Sequence, residues 1–202
     1  MGATMQGEFD LYLSAMRRFA ERAHRAGLQT GTGGNLSVRI PGAETMLIKA
    51  SGGSFADLQE ADIVHADFAG HVLAGSAKPS REFKSHALLY QKCPEAGAIF
   101  HSHSPWAIAC AARFDTVPLV TLHMEMKLGA IPILSSDGHA DGKMVDDLAA
   151  FLATHFGTKA FIHRRHGIFS LAADIGAAEM QAELVEECAK IAMIECMSRG
   201  AA

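Results

Sequence analysis

Apolar side chains recur at helical spacing along residues 8–26, at Phe9, Leu13, Met16, Phe19, Ala20 and Ala23, which predicts an amphipathic helix with Gly27 as its C-terminal cap. The period then shortens. Leu36-Ser37-Val38-Arg39-Ile40 alternates as a strand does, Pro41-Gly42 marks a turn, and Met46-Leu47-Ile48 predicts a second strand. Residues 62–68 and 71–73 predict a hairpin turning at Ala69-Gly70. Pro79-Ser80 opens a helix that runs to about residue 92 and stops before Pro94. Residues 98–103 form a short apolar strand, after which Ser104 as N-cap and Pro105 in the first turn start another helix. Further on, 142–155 reads as a helix, 159–163 and 168–171 as strands, and 176–197 as the last helix.

This order predicts a sheet that is not purely parallel, with helices packed against it, in a single domain covering residues 1–202. Hydrophobic residues make up 49% of the chain and charged residues 20%, an ordinary composition for a globular protein. A formal charge of −4 gives no basic stripe for nucleic acid. No apolar run approaches the roughly 20 residues that cross a bilayer, so no membrane partner is expected. The N-terminus lacks a secretory pattern, and Cys93, Cys110, Cys188 and Cys196 form no C-x-x-C pair, which predicts reduced thiols and a cytoplasmic location.

The eleven histidines are many for 202 residues, and their placement carries the chemistry. His101 and His103 are two apart on a predicted strand, so both rings can face one ion. A third donor is needed. His166, followed by Gly167, is one candidate, and His163 competes with it. Glu82, in the first turn of the helix opened by Pro79-Ser80, either complements the helix dipole or serves the same site. His86, one turn on, either pairs with Glu82 or belongs to the core. Thr32-Gly33-Gly34-Asn35 and Ser51-Gly52-Gly53-Ser54 are loops able to aim backbone N–H groups at an anion. Ser80 and Arg81 offer a third anion contact, through free N–H groups at a helix start and a guanidinium.

Gly31-Thr32-Gly33-Gly34-Asn35-Leu36-Ser37, Ile48-Lys49-Ala50-Ser51-Gly52, Lys78-Pro79-Ser80-Arg81-Glu82, His101-Ser102-His103-Ser104-Pro105 and His166-Gly167 together resemble the class II aldolase/adducin-type family. The family includes fuculose-phosphate aldolases, ribulose-phosphate 4-epimerases and 3-oxo-tetronate 4-phosphate decarboxylases. The resemblance implies a three-layer α/β/α sandwich with a central, largely antiparallel mixed sheet, assembled as a homotetramer with active sites between subunits. It implies Zn2+ (Mn2+ or Co2+ as substitutes) held by His101, His103 and His166, with Glu82 as acid/base and as a fourth ligand before substrate arrives, and no organic cofactor. Substrate contacts fall on Thr32, Gly34, Asn35, Ser51, Gly52 and Ser80.

Two departures from the aldolase pattern bear on the reaction. The second serine that aldolases carry before the glutamate is Arg81 here, and with Met126-Lys127-Leu128-Gly129 this resembles the decarboxylase branch. The catalytic tyrosine expected near residue 123 is His123, and no tyrosine follows Tyr90. The expected activity is therefore that of a metal-dependent carbon–carbon lyase working through a metal-held enediolate on a small phosphorylated sugar-derived keto substrate. Decarboxylation of a 3-oxo-tetronate 4-phosphate-like acid leads, and retro-aldol cleavage is the alternative. Arg81 and Lys127 would orient the acid or phosphate, and His123 would supply a proton or be a polar neighbour. An epimerase or dehydratase, drawing on His123 and Asp137, and a non-catalytic adducin-like module are the competing classes.

Overall fold

The computed structural model describes residues 2–138 and 140–199, with side chains over 7–138 and 140–198. Met1, His139 and residues 200–202, which the single-domain expectation includes, lie outside the described residues. The chain runs α1 (Gly2–Arg25), β1 (Asn35–Arg39), β2 (Thr45–Lys49), β3 (Ile63–Asp67), β4 (Val72–Ala74), α2 (Phe83–Lys92), β5 (Ala98–Ser102), α3 (Pro105–Ala111), α4 (Leu122–Leu128), β6 (Ile133–Leu134), α5 (Gly142–Thr154), β7 (Ala160–His163), β8 (Gly167–Ala172) and α6 (Ile175–Arg199). Among the described residues the strands form one sheet in the order β4-β3-β2-β1-β5-β8-β7-β6. Every pairing is antiparallel except β6 with β7.

Alternation along the central strands creates the layers. Leu36 and Val38 of β1, Ala98 and Phe100 of β5, and Ile162 of β7 face one side, where they pack with α1, α3, α4 and α6. Ile99 of β5, Phe161 of β7, and Phe169 and Leu171 of β8 face the other, under Leu89 and Tyr90 of α2 and Leu148 and Phe151 of α5. A half-apolar helix must cover an apolar sheet face, so the result is the expected α/β/α sandwich. Arg22 of α1 donates to Glu179 and Glu183 of α6, tying the two long helices together over the sheet. No described helix is long and apolar enough to cross a membrane.

Helix α4 and the short strand β6 were not anticipated, because Pro118, Gly129 and Pro132 break any clean period there. The helix expected to open at Pro79 instead begins at Phe83. Pro79 still pairs with Ala50, and the Ser80 amide donates to the Lys49 carbonyl at 3.2 Å, so the backbone stays sheet-like past the proline. Glu82 is thus the N-cap residue of α2 rather than a first-turn residue. Strand β5 ends at Ser102, which leaves His103 just beyond the sheet.

Candidate metal centre

The antiparallel register sets Asn35 of β1 directly beside His101 of β5, and His101 beside Phe169 of β8. The imidazole of His101 stacks on the Phe169 ring at 4.1 Å, and its Nδ1–H donates to the Ile168 carbonyl at 2.8 Å. That bond leaves Nε2 as the bare nitrogen. His166 sits in the tight turn between β7 and β8, one residue after Arg165, whose φ of 63° swings the chain back on itself. Gly167 lets this turn lie against β5: a side chain there would meet the Ser102 carbonyl oxygen at 2.0 Å.

The three rings of His101, His103 and His166 stand 4.8–5.0 Å apart, centroid to centroid. Glu82 completes the group: its Oε2 is 3.1 Å from Nε2 of His101 and its Oε1 is 3.4 Å from Nε2 of His166. One ligand atom from each of the four residues lies within 4.8 Å of all the others. His101 Nε2, His103 Nε2 and Glu82 Oε1 are all buried without a hydrogen-bond partner. Orphaned polar atoms converging on one point are costly in a folded protein unless a cation completes them, and three imidazoles with a carboxylate suit zinc, manganese or cobalt. The residues present therefore fit a divalent metal.

The electrostatics agree with a ligand set poised to coordinate. Burial pushes the His103 imidazole down to about 4 and that of His166 to about 3, with His101 adding to both, so both rings are neutral at pH 7. Burial by itself would raise the Glu82 carboxyl, but His101, His166 and His86 around it hold it well below the usual carboxylate range. Asn35 Nδ2 donates to Glu82 Oε2 at 2.6 Å, which leaves Oε1 as the carboxylate oxygen without a hydrogen-bond partner.

A cavity opens from these ligands, and the expected anion loops form its wall. Thr32, Gly34, Asn35, Ser51 and Gly52 line it, with Ser80 and Arg81 on the α2 side. The Ser51 amide donates to the Lys78 carbonyl at 2.9 Å, which ties the second loop to the segment that carries Ser80 and Arg81. The Ser80 amide, expected to be free at a helix start, is used by Lys49; its hydroxyl remains at the wall. His123 and Lys127 lie exposed on α4 and are not among the residues lining this cavity within one chain; Asp137, also exposed, does not line it either. His86 belongs to the core: its Nδ1 and the Tyr90 hydroxyl share the Ser37 hydroxyl at 2.7 and 2.8 Å.

Sequence reasoning missed two members. Lys49 is 2% exposed and lines the cavity, with its ammonium pushed down to about 8 by burial, although Asp62 and Glu82 pull it back up. A charged residue ending the apolar run Met46-Leu47-Ile48 was the available signal. Gln29, 3% exposed, accepts from the His103 amide at 2.7 Å, and nothing in the sequence marks it.

Residues 14–193 match the family described as Class II Aldolase and Adducin N-terminal domain. The chain is 31% identical over 173 residues to a 3-oxo-tetronate 4-phosphate decarboxylase of Pectobacterium atrosepticum, covering 83% of this chain and 77% of the relative. It is also 31% identical over 181 residues to an L-ribulose-5-phosphate 4-epimerase of Salmonella paratyphi C, covering 84% and 78%. In three dimensions it superposes on the l-fuculose-1-phosphate aldolase of Thermus thermophilus with a TM-score of 0.83 over 95% of this chain and 97% of the other, at 24% identity, a likeness of fold.

Proposed function

The chain belongs to the Class II Aldolase and Adducin N-terminal domain family, and on that premise we propose that it is a metal-dependent carbon–carbon lyase that decarboxylates a 3-oxo-tetronate 4-phosphate-like acid. The observation that carries this is the convergence of Glu82, His101, His103 and His166, three of which, Glu82, His103 and His166, line a cavity walled by hydroxyls, glycine amides and two cations.

Zn2+ is the proposed ion, with Mn2+ or Co2+ able to replace it; when bound, the cation supplies Lewis acidity that stabilises negative charge developing on the substrate carbonyl oxygen. The chain's own residues do the rest. Thr32, Gly34, Asn35, Ser51, Gly52 and Ser80 bind and orient the phosphorylated end through hydroxyl and amide donors. Arg81 and Lys49 bring two positive charges to the cavity, which suits a substrate bearing both carboxylate and phosphate. Glu82 engages Asn35 through Oε2 and leaves Oε1 without a hydrogen-bond partner, so Oε1 is the atom that takes or returns a proton. Its depressed pKa keeps it ionised at neutral pH, so the proton that replaces carbon dioxide on the substrate carbon comes from water and is passed on by the carboxylate.

The assembly proposed is a homotetramer with sites between subunits, working in the cytoplasm. Leu122 and Met126 on α4 are 79% and 83% exposed, and a second copy covering them would explain that exposure and carry His123 and Lys127 to a neighbour's cavity. The four cysteines are free thiols, in keeping with a reducing compartment.

Retro-aldol cleavage is the second reading, since the same cluster and cavity suit an enediolate formed that way. Protein loaded with Zn2+, Mn2+ or Co2+ is offered phosphorylated 3-oxo acids, ketose 1-phosphates and pentulose 5-phosphates. Carbon dioxide released from the acids is the expected result. Aldehyde release, or epimerised pentulose without cleavage, overturns the decarboxylase assignment, and failure to bind any of the three ions overturns the metal centre.

A further inference from the structure

A fourth imidazole stands behind the cluster. His163, at the end of β7, is fully buried, and its Nδ1 lies 2.9 Å from Nδ1 of His166. Two ring nitrogens can share a hydrogen bond only when one carries hydrogen and the other does not. The second nitrogen of His163 decides which. Its Nε2 faces the Ser136 carbonyl oxygen at 3.4 Å, and a carbonyl only accepts. The hydrogen of a neutral His163 therefore belongs on Nε2, its Nδ1 accepts, and the His166 hydrogen is on Nδ1. The nitrogen of His166 that faces Glu82 is then the bare Nε2.

We propose that His163 is a positioning residue that locks His166 in the tautomer with Nε2 bare and aimed at the cation. The restraint continues outward, because the Ser136 hydroxyl donates to Asp147 of α5 at 2.6 Å. His101 obtains the same tautomer from the Ile168 carbonyl, a backbone group that no substitution removes. His166 obtains it from a side chain, so its orientation is the one that sequence can change. An imidazole behind a ligand, unlike a carboxylate, adds no negative charge, so it orients His166 while leaving the bound ion a stronger Lewis acid. This inference rests on the metal reading above.

Two measurements test it. Long-range 1H–15N correlation spectra of the metal-free protein should show His166 with hydrogen on Nδ1 and His163 with hydrogen on Nε2. The reverse assignment overturns the proposal, and this arm needs neither a metal nor a folded variant. In the second arm, the Zn2+ dissociation constant is read by chelator competition. His163→Leu should weaken binding about 10–100-fold, and His163→Gln, whose amide oxygen can accept from His166, should recover part of that. In a His166→Ala background, His163→Leu should cost nothing more. An unchanged constant in His163→Leu, or a full further loss in the double variant, overturns the positioning role. Wild-type protein that binds no Zn2+ overturns the metal reading instead, and the spectra then judge His163 alone.

Discussion

Gly34 and Gly31 offer a matched pair of substitutions that separates backbone strain from the close approach that builds the site. Both glycines have left-handed backbones, with φ of +64° and +62°. A β-carbon at Gly31 would meet nothing within 4 Å, whereas one at Gly34 would sit 2.8 Å from the His101 carbonyl oxygen and 2.6 Å from Gln29 Oε1. Left-handed strain for alanine is about 1–2 kcal/mol at either position. Only Gly34→Ala adds crowding, about 1–3 kcal/mol for an overpacked site whose neighbour is backbone. For a chain of 202 residues each kcal/mol moves Tm by about 2–4 °C. Gly34→Ala should therefore melt about 2–12 °C below Gly31→Ala in metal-free protein, as read by calorimetry. Zn2+ binding should weaken in Gly34→Ala alone, because both contacted groups, the His101 backbone and the Gln29 amide beneath His103, place metal ligands. Equal melting temperatures for the two variants would refute the reasoning.

Glu82→Gln should retain metal on its three imidazoles but lose about 10²–10⁴ in turnover; undiminished turnover would remove the proton-transfer role. Lys49→Met should raise KM for a phosphorylated substrate more than it lowers kcat, and in the wild type substrate affinity should decline as pH rises through about 8, where the ammonium is lost; an unaltered KM in the variant would place Lys49 outside the binding set. Metal-free protein should be acid-sensitive earlier than its carboxylates require. His86 and His166 are held down at about 3 and His103 at about 4, against 6.5 in the unfolded chain. The unfolded state thus binds protons first, and stability present above pH 6.5 is lost as pH falls toward those folded values. The urea midpoint should drop between pH 6.5 and 5, and a flat midpoint across that interval would contradict the burial of these rings.

The strands and most helices were legible because alternation at 36–40 and helical spacing at 8–26 are imposed by burial on one face, a local signal. The residues of the site were legible too, as short motifs at the ends of those elements. The boundaries near Glu82 were not, because Pro79 pairs with Ala50 across the sheet, a contact remote in sequence. Residue type and spacing left His163 and His166 both open as the third donor, and only the family resemblance singled out His166. Both are histidines at one strand end, and only the turn at Arg165 and the packing of Gly167 on β5 put the ring of His166 beside Glu82 and that of His163 behind it. Lys49 and Gln29 became visible for the same reason: whether a polar side chain reaches solvent or a buried cavity is settled by what packs over it. The sequence by itself determined most of the elements and the residue types gathered at their ends, since both follow from side-chain type and spacing. Only the tertiary structure decided which nitrogens face inward, because that depends on the register of β1, β5 and β8 and on partners brought together from across the chain.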